Sequence, residues 1–347
     1  MPARSAASSG SDRMRALAAE FPGQLRDGFR AGLEVAPAAT DRSTTVFVVG
    51  MGGSAIAPDL ARGVVESETP LAIATVRSSE LPRAVERRSR VVLVSYSGDT
   101  WETLRAYDTA GRTGAGRVVI SSGGSLAERA ERDRVPLVTL PPGLPPRAAV
   151  GQILGSFLGL LDPWFPESNE ERIGRIAAQL ESRIPRYARP SGPASAVARR
   201  IGSRFPFVYA ESPFSGLARR WATQIEENAK RLAVSDEIPE LLHNAIVGWD
   251  AASRRDASRF AAVLLESEGA TAASRRAFAH LERLLAARGA EVIPVPLPGE
   301  DRLETVAAGF ALGDQVSLFL ADRRGVDPYP IDAITRWKAV LDAGRAR

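Results

Sequence analysis

The chain of 347 residues contains no cysteine. Disulfides and cysteine-ligated zinc are thereby excluded, and cysteine usage does not argue against the cytosol. There are two histidines, His243 and His280, and two lysines, Lys230 and Lys338; every other basic side chain is arginine. No stretch approaches the roughly 18 unbroken apolar residues of a membrane helix, so no membrane partner is expected. Met1 to Ser11 is rich in Ala and Ser without an apolar core, so a secretory signal is not expected. A strong charge imbalance is missing too: 45 Lys and Arg face 41 Asp and Glu, for a net charge of +4. Acids and bases are interleaved, and no dense basic block with aromatics occurs. No nucleic-acid partner is therefore expected, and the arginine dominance reads as a habit of genome composition.

What the chain does have is a pair of strand-turn-helix segments in its first third. One is Val46-Phe47-Val48-Val49-Gly50-Met51-Gly52-Gly53-Ser54; the other is Val91-Val92-Leu93-Val94-Ser95-Tyr96-Ser97-Gly98-Asp99-Thr100. A continuous apolar run reads as a strand buried on both faces, hence a parallel sheet. Each run ends in small and hydroxylated residues and is followed by a helical pattern. Glycines let a backbone approach a ligand, and hydroxyls with free amides at a helix start hold anions. Gly52, Gly53, Ser54, Ser95, Ser97 and Thr100 are therefore candidate binding residues for a phosphorylated ligand, with no metal required. Either loop alone could equally be an ordinary turn with a helix cap.

The length implies two domains. Strands are expected at 45–50, 71–75, 91–96, 117–120 and 137–140, with helices at 54–66, 100–112 and 125–131 between them. That alternation specifies an α/β fold with a doubly wound parallel sheet. The first 42 residues read as a loose tail followed by helices at Met14–Phe21 and Leu25–Leu33. The first α/β domain spans 43–150, closed by the Pro-rich run from Pro141 to Pro146. Connecting helices at 148–161 and 169–184 and a linker at Arg189–Pro193 fill 151–193. A second α/β unit covers 194–347: strand 206–210, helix 214–230, a loop through His243, strand 259–265, helix 272–287, strand 290–295, and helices at 300–320 and 331–342.

Six segments occur in order: Gly50-Met51-Gly52-Gly53-Ser54, Ser95 to Thr100, Pro146-Arg147-Ala148-Ala149, Glu227-Asn228-Ala229-Lys230, His243-Asn244 and Gly325-Val326-Asp327-Pro328. The first two resemble the loops of a sugar isomerase (SIS) domain. Together the six resemble the bifunctional phosphoglucose/phosphomannose isomerase family over roughly residues 45–342. The resemblance implies two SIS domains of flavodoxin-like, doubly wound type with a helical C-terminus. It implies a cytoplasmic homodimer with active sites shared between subunits. The implied reaction is cofactor-independent isomerisation of glucose 6-phosphate or mannose 6-phosphate with fructose 6-phosphate, through an enediolate.

The residue roles follow from the same resemblance. Glu227 matches the family's base, and a carboxylate suits proton transfer between C1 and C2. Glu226 stands where the family has Asn; adjacent helix residues point about 100° apart, so its influence on Glu227 is expected to be small. His243 matches the ring-opening His that reaches the partner's site, and histidine is a residue type suited to proton transfer. Arg147 would stabilise the enediolate charge. Two positions depart from the family. Tyr329 replaces a small hydroxyl residue that faces the sugar. Arg336 replaces a catalytic Lys, keeping the charge but not a readily lost proton; Lys338 lies about 200° further round the helix and is no substitute. Ala245 replaces an acid. These departures motivate a second reading, a sugar-phosphate-binding SIS protein with weak or no catalysis. A DNA-binding SIS regulator is disfavoured because no N-terminal helix-turn-helix is legible.

Overall fold

The structure, a computed structural model, describes residues 3–37 and 44–345. Two helices lead: α1 (Ala3–Ala19) and α2 (Phe21–Glu34). The first sheet follows, with β1 (Thr45–Val49), α3 (Gly53–Glu68), β2 (Ala72–Val76), β3 (Arg90–Ser95), α4 (Trp101–Thr113), β4 (Gly116–Ser121), α5 (Gly124–Arg132) and β5 (Leu137–Thr139). Then come α6 (Val150–Leu161), α7 (Glu170–Tyr187) and α8 (Pro193–Ile201). The second sheet and its helices are β6 (Phe205–Glu211), α9 (Ser215–Ala229), β7 (Val234–Ile238), α10 (Ala245–Ala251), α11 (Arg254–Ala257), β8 (Phe260–Ser267), α12 (Ala272–Arg288) and β9 (Glu291–Leu297). Two helices close the chain, α13 (Arg302–Arg324) and α14 (Asp332–Arg345).

All strand pairs are parallel. The first sheet has the order β2-β1-β3-β4-β5 and the second β7-β6-β8-β9. The first is the flavodoxin-like order; the second repeats it without a fifth strand. In such sheets ligands settle beyond the carboxyl ends of the strands where the order reverses, here between β1 and β3 and again between β6 and β8.

One apolar core joins the two sheets. Val46, Val48 and Val92 of the first and Val208, Ala210 and Val263 of the second belong to the same buried cluster, with α2, α6 and α13 in between. Helices α2 and α6 approach closely because glycines alternate on both. A methyl carbon added at Gly28 would lie 2.3 Å from the Gln152 carbonyl, and one at Gly155 2.3 Å from that of Leu25. Every residue of α6 is buried. Among the described residues α13 is the one helix long and apolar enough to cross a membrane, and its apolar stretch is wholly enclosed by the fold.

Three expectations need correction. The N-terminal segment is no loose tail where it is described: α1 and α2 are separated by Glu20 alone, and α1 packs along α13. The Arg189–Pro193 linker runs straight into a helix, because Pro193 sits at its first turn, where proline is favoured. The stretch before His243 contains β7. Its sequence, Val-Ser-Asp-Glu-Ile, is polar because β7 is an edge strand.

Candidate active site

The β1 and β3 loops flank the first switch point, and α3 and α4 start there. The first amides of a helix lack intrahelical partners and point at whatever sits in the crevice. Gly52 caps α3 at φ +52°, a conformation that L side chains rarely adopt. Gly98 takes φ +75°, and a methyl carbon there would collide with the Gly123 carbonyl at 1.8 Å. Ser54 is buried and its Oγ accepts the Tyr96 amide at 3.2 Å, which ties the loops together. Ser95 accepts the Gly98 amide at 3.1 Å and donates to Thr100 Oγ1 at 2.9 Å. Its hydroxyl proton is thus committed to orienting Thr100, whose own proton stays available to the crevice. Ser97 is exposed at the loop tip.

A third loop, unread in the sequence, completes the wall. After β4, Ser121 donates to the Ser95 and Gly123 carbonyls, and Asp99 accepts the amide and hydroxyl of Ser125. The signal was present as Ser121-Ser122-Gly123-Gly124-Ser125, a strand end running into small residues.

Two contacts couple this crevice to Arg147. A methyl carbon at Gly53 would lie 3.0 Å from the Pro146 carbonyl, so the α3 start is in backbone contact with the turn that carries Arg147. Tyr96 Oη accepts the Leu144 amide at 2.9 Å and donates to the Pro141 carbonyl at 2.8 Å. The Pro-rich run is therefore clamped by a residue of the β3 loop.

Arg147 is 1% exposed. Its Nε donates to Asn228 Oδ1 at 3.0 Å, and Nη2 donates to the carbonyls of Pro328 and Tyr329, both at 2.8 Å. Nη1 lies 3.7 Å from Glu227 Oε2 and is buried with no hydrogen-bond acceptor among the described residues. Burial pulls the Arg147 guanidinium down from its ordinary pKa, against the pull of Glu227 in the other direction. Beneath it, Arg220 Nη2 donates to the Arg147 carbonyl at 2.9 Å and to both oxygens of Asp314, at 2.9 and 3.0 Å. Gln224 donates to Asp314 Oδ1 at 2.9 Å. Asn228 in turn donates to Ser317, which donates to the Asp314 carbonyl. Burial pushes the Asp314 carboxyl up, opposed by Arg220.

Glu227 sits half-buried in the last turn of α9. Its neighbour Glu226 has its pKa raised, first by burial and to a lesser extent by the Glu227 charge. Lys230 caps α9 at φ +53° and donates to the carbonyls of Glu227, Pro328 and Pro330. It straps the C-terminal turn onto α9; in the sequence it stands out as the end of the Glu227-Asn228-Ala229-Lys230 segment and as one of only two lysines.

Tyr329 enters the site through its backbone. Its carbonyl accepts from Arg147, its amide donates to Asp327, and its ring lies under the Arg13 guanidinium, 3.9 Å from centroid to carbon. The expected intrusion of the ring toward the substrate thus meets a helix, α1, that the sequence reading left out of the site. The same helix sets Met14 Sδ 3.8 Å from Arg147 Nη2. His243 and Arg336 are both exposed, on the turn after β7 and on α14, and neither side chain makes a hydrogen bond or ion pair with a described residue. The structure therefore gathers Arg147, Glu227 and the backbone of Tyr329, and leaves His243 and Arg336 on the surface of this single chain.

Two sheets of this order with serine-lined switch-point loops define an SIS-type α/β protein. The C-terminal domain of glucosamine-fructose-6-phosphate aminotransferase from Francisella tularensis has the same fold, with TM-score 0.70 at 12% identity, over 91% of this chain and 96% of that one. Residues 191–341 match the bacterial phospho-glucose isomerase C-terminal SIS domain. The bifunctional phosphoglucose/phosphomannose isomerase of Caldicellulosiruptor bescii is 30% identical over 90% of this chain and 94% of its own length. That of Aquifex aeolicus is 31% identical over 85% and 90%. The chain belongs to the bifunctional phosphoglucose/phosphomannose isomerase family.

Proposed function

We propose that the protein is a cofactor-independent isomerase of glucose 6-phosphate and mannose 6-phosphate with fructose 6-phosphate. The observation that carries this reading is the Arg147–Glu227 pair: a carboxylate 3.7 Å from a buried guanidinium nitrogen that has no acceptor among the described residues. A carboxylate can take the proton from C2 or C1, and an unpaired donor beside it meets the oxyanion that forms. Arg147 is fixed before substrate arrives, so little reorganisation is needed at the moment of charge development. The sugar phosphate sits with its phosphate in the β1/β3 crevice, where Ser54, Ser97, Thr100 and the α3 and α4 amides face it. Ser95 orients Thr100 rather than touching the ligand.

Ring opening falls to His243 of a second copy, with Arg336 supplying charge. Leu232, Val234 and Val247 are exposed around β7 and the His243 turn, at 71%, 43% and 69%. An edge strand with apolar neighbours is a natural surface for a second subunit to cover. A charged sugar phosphate as substrate supports a cytoplasmic location.

The test is exchange of substrate carbon-bound hydrogen in deuterated water, with Glu227→Gln beside the wild type. General-base loss is expected to lower exchange by roughly 10²–10⁴-fold while glucose 6-phosphate still binds. Undiminished exchange in Glu227→Gln removes the base assignment. Absence of exchange in the wild type with every hexose 6-phosphate, alongside retained binding, decides for a sugar-phosphate-binding protein instead.

A further inference from the structure

The second sheet has its own switch point, and a cleft of about 350 Å³ opens there, beyond the ends of β6 and β8. It is separate from the site above. Helix α9 begins at the cleft and reaches Glu227 twelve residues later, roughly 18 Å away at 1.5 Å per residue.

Half of this cleft repeats the chemistry of the β3 loop. Ser267 ends β8, is 6% exposed, and accepts the Gly269 amide at 3.1 Å, as Ser95 accepts that of Gly98. Thr271 caps α12 and accepts the Ser274 amide at 3.1 Å, in the place of Thr100 at the start of α4. The other half is inverted. Where β1 runs into glycines, β6 ends in Glu211, which is 8% exposed, lines the cleft, and makes no hydrogen bond or ion pair with any described residue. Glu266 stands beside it on β8, one step past the Ala210–Leu265 register pair. The cation at the rim is committed elsewhere: Arg302 donates to the Gly63 carbonyl at 2.8 Å. Asp301 is likewise taken, by Arg172.

The Glu211 carboxylate opens onto the cleft without a partner among the described residues, so it repels a phosphate and attracts a cation. An ammonium group neutralises it, and the hydroxyls of Ser267, Thr271 and Ser274 suit a ligand that carries hydroxyls of its own. Among the described residues no group of three or more metal-binding side chains forms, so the geometry does not describe a metal site. We propose that the β6/β8 cleft is a second ligand site, for a small hydroxylated primary amine whose ammonium pairs with Glu211.

The experiment is calorimetric titration of the full chain at neutral pH and low salt with D-glucosamine as probe. Saturable binding of one molecule per chain is expected, undisplaced by saturating fructose 6-phosphate. N-Acetylglucosamine, which lacks the charge, should bind about tenfold more weakly or not at all, and Glu211→Gln should weaken glucosamine by a similar factor. Ser274→Lys, which brings a resident cation to the cleft, should also abolish binding, and it serves if Glu211→Gln does not fold. No saturable binding, equal binding of the two sugars, displacement by fructose 6-phosphate, or unchanged affinity in the variants would each overturn the proposal.

Discussion

Asp314→Asn is the perturbation with the most to say about the site, because Asp314 is buried beneath Arg147 and acts through Arg220 and Gln224. Two guanidinium groups, Arg147 and Arg220, are at most 2% exposed. The carboxylates set against them are Asp314, on Arg220 at 2.9 and 3.0 Å, and the half-buried Glu227, 3.7 Å from Arg147. Asparagine keeps the shape of Asp314 and can still accept one hydrogen bond, but it leaves Arg220 as a buried cation without an anion. Breaking a buried pair in this way costs about 3–5 kcal/mol. At about 2–4 °C per kcal/mol, the melting temperature should fall by on the order of 10 °C. Arg220 also holds the Arg147 carbonyl at 2.9 Å, so its relaxation moves the arginine proposed to stabilise the enediolate. A displacement near 1 Å costs roughly 10²-fold in rate, and the phosphate loops are untouched, so the loss should appear in kcat with KM little changed. The assay is steady-state isomerisation at 25 °C beside thermal unfolding, with Leu281→Ala as a control. Leu281 is fully buried in the cluster on the outer face of the second sheet, and its truncation costs a similar 2–5 kcal/mol without reaching Arg147. If Asp314→Asn retains kcat as the control does, the network is structural only. If its stability is unchanged, the charge accounting itself is wrong.

Three further outcomes follow from the same contacts. Homodimers of Glu227→Gln and of His243→Ala should both be inactive, while mixing and re-equilibrating them should restore up to one working site per hybrid dimer; no recovery with subunit exchange shown by mass would place both residues in one chain. Tyr107 donates to Asp133 at 2.9 Å and its pKa is pushed up to about 12, chiefly by burial, so the folded state retains the phenolic proton; this stability is complete below about pH 10 and is lost as pH rises toward 12, and the melting-temperature difference between wild type and Tyr107→Phe should shrink across that window and stay constant below it. Tyr96→Phe leaves the Pro141 carbonyl and Leu144 amide without their partner, at about 1–3 kcal/mol, and should lower kcat more than it raises KM, since the Tyr96 amide still binds Ser54; an effect on KM alone would show that the clamp does not reach Arg147.

The sheets were legible because their strands are buried on both faces. Val46–Val49 and Val91–Val94 leave no polar alternation to confuse the reading, and the glycines and serines after them mark the crevice. What escaped was structure whose cause lies elsewhere in the chain. β7 reads as a loop because an edge strand needs no continuous apolar run. The first part of α1 reads as a tail because Ala and Ser carry little periodicity; Arg13 and Met14 are placed by contacts with Tyr329 and Arg147, both far along the chain. Arg220 and Asp314 look like surface charges in sequence, and pairing across α9 and α13 is what buries them. Glu227 and Arg147 were legible through the family motif and not through any local pattern. The same motif supplied His243 and Arg336, which a single chain leaves exposed.

The way the pieces interlock explains why position 147 holds arginine in a site that needs one positive charge. In the proposed reaction the guanidinium does three things at once: Nε fixes Asn228 on α9, Nη2 fixes the carbonyls of the C-terminal turn, and Nη1, left without an acceptor among the described residues, would meet the oxyanion. An ammonium is a point charge on a flexible stem and cannot divide its donors among three directions held in a plane. Lysine serves instead at 230, where three carbonyls converge on one nitrogen and no direction has to be kept open. The turn that carries Arg147 touches the first phosphate loop through Gly53 and is clamped to the second through Tyr96. Occupation of the crevice by a phosphate therefore presses on the same backbone that aims Nη1. Substrates that lack the phosphate lose more than affinity on this account: the binding energy of a remote group is used to hold the reacting end in register, so truncated substrates should lose kcat as well as KM.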